Sequence, residues 1–262
     1  MENKIFIKKE TMKGIADAIR AKDGTTEEIA VTDMAERIGA ISGIDYLDYC
    51  DRFAIWSLNL FGTPIVELTL PRATNLNGAF RVDVIASDTE GRTNITVEEL
   101  IIHCPNIITN MGASFGQNNY YADYVLKKIV LDFETKAQNW SYAFQNARAL
   151  KYIEGTPINL SFINGDTRTI SMFERCDSLK EVRFQGILSY ALNLGDSKDL
   201  SKASILNLSS CLSADVSEKA LTLNKEAVDK AFETSSGAAD GSTSTEWAEL
   251  IATKPNWTIS LA

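Results

Sequence analysis

The sequence predicts an α+β chain whose body is a solenoid of short strands and helical turns. A small helical module is expected before that body and an α/β cap after it. Three observations predict this. First, Phe144 and Phe173, Leu150 and Leu179, Ile153 and Val182, and Lys151 and Lys180 are all 29 residues apart. Second, short segments between these positions alternate apolar and polar residues. Third, both ends of the chain lose the spacing and turn to helical patterning. A fixed period of this size marks a stacked array, in which each unit is too thin to bury its own apolar face.

The period runs backwards along the chain. Phe115 lies 29 residues before Phe144, and Leu126-Lys-Lys-Ile129 repeats the element Leu150-Lys-Tyr-Ile153 after an insertion of five residues. Leu76-Asn-Gly-Ala-Phe80 stands one unit earlier, 35 residues before Phe115, with a further insertion at Ser87–Asn94. About four units therefore lie between Val66 and Phe184. Period-two alternation predicts strands at 66–70, 100–102, 129–133 and 182–184. Each strand is followed by a polar or Gly-containing bend and an apolar turn that ends in Phe. The phenylalanines are expected to fill the interior at matching heights. The alternative is chance spacing within an ordinary α+β domain.

The motifs Ala143-Phe144…Leu150-Lys-Tyr-Ile153 and Met172-Phe173…Leu179-Lys-Glu-Val182-Arg-Phe184 resemble the BspA-like leucine-rich repeats of bacterial surface and phage proteins. The resemblance covers about half of the chain. It implies a leucine-rich-repeat-type solenoid for residues 44–190.

Residues 1–43 read as a separate module. Ile5 and Ile7 alternate with Phe6 as a short strand. Thr11 can cap a helix carrying Met12, Ile15, Ala16 and Ile19 on one face, and Lys22-Asp-Gly24 breaks it. Thr32 or Asp33 can cap a second helix with Met34, Ala35, Ile38 and Ile41, closed by Ser42-Gly43. Gly14–Gly24 and Thr32–Ile38 are similar to an N-terminal module of tail-associated phage structural proteins. That likeness implies an assembly element. A helical lid on the first repeat is the alternative.

Asp45, Asp48 and Asp51 have helical spacing, but they lack the glycine-bearing loop of a calcium site and read as a solvated face. Arg52–Phe61 is apolar and is expected to open the repeat core. The insertion Gly116–Tyr124 adds Asn118, Asn119, Tyr120, Tyr121 and Tyr124 where the next unit has no counterpart. Aromatic rings beside amides suit sugar or protein contacts, and loops on a rigid frame often carry function. These five residues are the candidate ligand-binding set. Packing of the tyrosines on the insertion at Ser87–Asn94 is the alternative.

Residues 191–262 are expected to form the cap. A strand near Leu192–Leu194 and a helix over Ser204–Ser209 come first. A strand at Lys219–Leu223, a helix at Glu226–Phe232 and a small polar loop at Ser235–Thr245 follow. A helix from Glu246 and the strand Trp257–Leu261 complete it. The stretches 204–208, 220–223 and 251–259 are similar to the closing segment of BspA-like phage tail proteins. Pro255-Asn256 departs from that pattern, which commonly has Gly there.

Composition bounds the function. A net charge of −9, with no basic run, argues against nucleic acid as a partner. No apolar stretch approaches the roughly 18 residues of a membrane span. The first ten residues carry no apolar signal segment, which argues against export through a secretion signal. Cys50, Cys104, Cys176 and Cys211 are widely separated, with no paired ligands for zinc. His103, the single histidine, adjoins Cys104, and neighbouring strand residues face opposite ways. No Cys–His pair is therefore expected, and His103 reads as structural. Nucleophile-elbow, P-loop, dinucleotide and zinc-protease motifs are missing. Paired acids for glycoside cleavage meet only in space, and the sequence leaves them open.

The resemblance therefore implies a non-enzymatic virion structural protein of a phage tail tip, baseplate or fibre. It implies assembly in the host cytoplasm, no cofactor or metal, and a homo-oligomer. The implied partners are other virion subunits and a host surface glycan or protein. The alternatives are a bacterial surface adhesin with the same repeats and a glycan-cleaving tail enzyme.

Overall fold

The computed structural model describes residues 16, 17, 20, 64–70, 73–80, 97–116, 125–234 and 240–262. The chain divides into two compact units, Met1–Asp48 and Tyr49–Ala262. In the first, Ala16, Asp17 and Arg20 are helical and Ala16 is buried, in keeping with the expected apolar stripe. The rest of the expected 1–43 module, Asp45, Asp48, Asp51 and the segment 52–61 lie outside the described residues.

The described part of the second unit is mixed α/β, with two parallel sheets and three helices. Five strands, β1 (Ile65–Thr69), β2 (Glu99–His103), β3 (Lys128–Asp132), β4 (Tyr152–Asn159) and β5 (Glu181–Gln185), form one sheet in chain order. All four pairings are parallel. Alternation decides which side chains face in. Val66, Leu100, Ile102, Ile129, Leu131, Ile153, Val182 and Phe184 are buried, while Glu67, Glu154 and Arg183 face solvent.

Beneath the sheet the phenylalanines form a column. Phe80 and Phe115 stack at 5.3 Å between centroids, and Phe115–Phe144 and Phe144–Phe173 both at 5.4 Å, with ring planes within 8°. Phe184 closes the column edge-on, at 6.1 Å and 90° to Phe173. The rings occupy the matching heights that their spacing predicted. The turns that carry them are joined level to level by backbone hydrogen bonds. Phe80 N donates to Ser114 O, Phe115 N to Ala143 O and Phe144 N to Met172 O, at 2.7–3.0 Å. The same turns share a left-handed residue two positions before Phe: Gly78 (φ 72°), Ala113 (51°), Tyr142 (58°) and Ser171 (51°). Only the first is glycine, so the ladder imposes a conformation that the sequence does not advertise.

Strand β4 is absent from the sequence expectation. Gly155 and Pro157 break its alternation, and four residues, 154–157, bulge between the pairs Ile153↔Val182 and Ile158↔Phe184. Gly155 has φ +83°, and a Cβ there would lie 2.4 Å from Leu131 O. A bulge also accommodates Pro157, which has no N–H to give to a central strand.

The far edge of the sheet is closed by a helix. Ser201 N reaches Lys180 O at 2.8 Å, as Lys180 N reaches Lys151 O at 2.9 Å one level earlier. Helix α1 (Lys202–Cys211) then starts, capped by Ser201 Oγ, which accepts from Ser204 N at 3.2 Å. Its side chains take over the missing strand's role. Val182 N donates to Ser204 Oγ at 3.1 Å, Phe184 N to Asn207 Oδ1 at 2.6 Å, and Asn207 Nδ2 to Phe184 O at 3.1 Å.

Strands β6 (Leu192–Leu194), β7 (Lys219–Leu223) and β8 (Trp257–Leu261) form the second parallel sheet. Helices α2 (Lys225–Ala231) and α3 (Thr245–Ala252) start at Asn224 and Ser244, whose side chains accept from Ala227 N at 3.3 Å and Trp247 N at 3.1 Å. All these elements were expected from the sequence, within one residue at most ends. Asp229 ties α2 to the turn at 241–243 by accepting from Ser242 N at 3.0 Å. The Lys225 ammonium on its other oxygen helps hold its carboxyl down at about 2.

Candidate functional site

The solvent face of the five-stranded sheet gathers the titratable side chains. Register sets three of its rows. Ile65, Glu99, Lys128, Tyr152 and Glu181 form one. Glu67, Ile101, Val130 and Glu154 form the next, and Thr69, His103 and Asp132 the third.

His103 lies between two carboxylates. Its Nδ1 is 2.6 Å from Asp132 Oδ2 on β3, and its Nε2 is 2.8 Å from Glu67 Oε1 on β1. Carboxylates only accept, so the arrangement is fully satisfied when both ring nitrogens carry protons, as in the imidazolium. Asp132 first, then Glu67, raise its pKa above the ordinary histidine value. Lys128 repeats the arrangement one strand over. Its ammonium is 3.1 Å from both Glu99 and Glu154, and these raise its pKa as well. The two clusters are acid–base–acid triads laid across three strands each. Beside them the β4 bulge is pinned by Arg183 Nη2, which donates to Gly155 O at 2.8 Å.

The adjacency of His103 to Cys104 does not reveal the triads, whose partners lie on other strands. Their signal was present. His103 and Asp132 are 29 residues apart, as are Gln145 and Glu174, which bond at 2.9 Å on the turn side. The spacing of the apolar residues thus also locates polar partners one level away.

The expected separation of His103 from Cys104 holds, since the imidazole is part-exposed and the thiol buried. Burial pushes Cys104 up to about 12 and raises Cys176 and Cys211 as well. Cys176 Sγ donates to Phe144 O at 3.1 Å and is a fully buried core residue. Among the described residues no group of three acidic, histidine or cysteine side chains could hold a metal ion. No described helix is long and apolar enough to cross a membrane. The candidate ligand-binding residues Asn118, Asn119, Tyr120, Tyr121 and Tyr124 lie outside the described residues, as does the insertion at 87–94. Gly116, which precedes them, is described: a Cβ there would lie 2.4 Å from Tyr142 O.

No protein-family model matches the chain, and no curated protein or solved structure matches it either.

Proposed function

We propose that the chain is a non-enzymatic structural protein of a phage virion, in the tail tip, baseplate or a fibre. Its body, on this reading, is a BspA-like leucine-rich-repeat solenoid, and residues 1–43 dock it to other virion subunits. The observation that carries the reading is the column of phenylalanines at residues 115, 144 and 173. Equal spacing in the chain and equal spacing in space is what a stacked array requires. The rest comes from the likeness of the repeat and end motifs to phage tail proteins. On the sheet face, the one imidazole is held at both nitrogens by Asp132 and Glu67.

Recognition of a host surface glycan or protein is assigned to the insertion with Asn118, Asn119, Tyr120, Tyr121 and Tyr124. Many copies in a homo-oligomer would multiply weak contacts, with avidity gains of about 10²–10⁴. Quantitative mass spectrometry of purified virions tests the assignment. The chain should be present in several copies per particle, and its absence from particles while abundant in the lysate overturns it. Deleting residues 1–43 should then abolish incorporation. Tyr120→Ser, Tyr121→Ser and Tyr124→Ser together should spare incorporation and reduce adsorption.

A further inference from the structure

The sequence contains two Asn-Gly pairs, Asn77-Gly78 and Asn164-Gly165. In such a pair the second residue has no side chain to shield its backbone nitrogen from the asparagine amide carbon just before it. Both asparagines are exposed, so exposure does not separate them. The backbone does. Gly78 N donates to Gly112 O at 2.9 Å, one of the bonds that join the turns level to level. Leu76, Ala79 and Phe80 around it are buried. The Gly78 nitrogen can therefore turn on Asn77 only if that level of the body opens, which breaks the bond and exposes packed side chains.

Gly165 lies between β4 and the single turn Asp166–Arg168. Its carbonyl accepts from Arg168 N at 3.0 Å, but among the described residues nothing accepts from its own N–H. A Cβ at Gly165 would meet nothing nearer than Arg168 Cγ, at 3.8 Å, so the space beside the backbone is open. Asn164 Nδ2 makes one exposed bond, to Gln138 Oε1 at 3.1 Å. No level of the body has to open before this nitrogen can reach the asparagine amide.

We infer that Asn164 is a modification site, where the folded chain converts its own asparagine to aspartate and isoaspartate. Hydroxide removes the Gly165 N–H proton, and the nitrogen attacks Asn164 Cγ. A new N–Cγ bond closes a succinimide ring as the Cγ–Nδ2 bond breaks. Nδ2 leaves as ammonia by taking a proton from water, which restores the hydroxide. A second water opens the ring at one carbonyl or the other and gives the two products. The reaction exchanges ammonia for water and involves no electron transfer. The new carboxylate cannot donate to Gln138, so that bond is lost. It also stands beside Asp166, which already holds the Lys219 ammonium at 2.9 Å. This inference is independent of the virion assignment, because it concerns the isolated chain.

The full chain, kept folded in warm, mildly alkaline buffer, provides the test. Peptides spanning both pairs are followed by mass spectrometry, with fragmentation that separates aspartate from isoaspartate. Conversion at Asn164 should outpace conversion at Asn77 by at least about 10-fold, since a backbone bond and its packing guard the second pair. In denaturant the two rates should converge. Hydrogen exchange should find the Gly165 amide unprotected and the Gly78 amide protected. Gly165→Ala, whose methyl fits the open space, should hold its melting temperature and convert more slowly at Asn164. Conversion at Asn77 as fast as at Asn164 in the folded chain overturns the inference. So does an Asn164 that stays intact when folded and converts only in denaturant.

Discussion

His103 shows how one side chain can report on three strands. Its imidazolium joins β1 to β3 across β2, and the carboxylates raise its pKa. The stabilisation that this pairing contributes is therefore complete below the ordinary histidine value of about 6.5. It is lost as pH rises through the raised folded value. Being the single histidine of the chain, it gives one imidazole resonance to follow. That resonance should titrate above about 6.5, and Asp132→Asn should bring its midpoint down. A midpoint unmoved by the substitution would show that Asp132 does not hold the ring. Gly155 is the second residue on which a local feature depends. Its left-handed backbone alone would cost an alanine about 1–2 kcal/mol. The Cβ would also meet Leu131 O at 2.4 Å. Gly155→Ala should therefore lower the denaturant midpoint by more than a surface substitution does, since most surface changes stay within about 0.5 kcal/mol.

Among elements, α1 has the most specific task. A parallel sheet edge leaves N–H and C=O groups unpaired and open to pairing with another chain. Ser204 and Asn207, three apart on one helix face, satisfy Val182 N and both backbone groups of Phe184. Asn207→Ala leaves two backbone groups of β5 unpaired and should cost about 1–3 kcal/mol for each that stays dry. Chemical denaturation checks this, and Asn207→Gln, which keeps the amide at greater reach, should recover part of the loss. The phenylalanine column works through packing instead. Phe144 is fully buried between Phe115 and Phe173, so Phe144→Ala should cost about 3–5 kcal/mol.

For the whole molecule, the second unit combines an open-ended architecture with a built stop. Backbone bonds run from level to level through Glu98, Lys127, Lys151 and Lys180, and Ser201 makes the last of them before the chain turns helical. A chain ending before Ser201 would keep the five-stranded sheet and lose its cover. Light scattering should then show association of the shortened protein at concentrations where the full chain has constant mass. A monodisperse shortened protein would mean that the β5 edge is harmless uncapped.

Much of this was legible because the period is written in apolar residues. Phe115, Phe144 and Phe173 announce their column, and Val66, Leu100, Ile129 and Val182 announce four strands. Burial has one chemistry, and a spacing of 29 carries it from level to level. Three things were decided only by the tertiary structure. The bulged strand at 152–159 exists because neighbours on both sides pair with it, although Gly155 and Pro157 speak against a strand. The left-handed turns at Ala113 and Tyr142 are tied to the next level by their own N–H groups, on residues with no such preference. Glu67, the partner of His103 that lies off the 29-residue spacing, meets it only once distant segments lie side by side. Local pattern records what each segment must bury, whereas polar groups choose partners by direction and distance, which arise only after stacking.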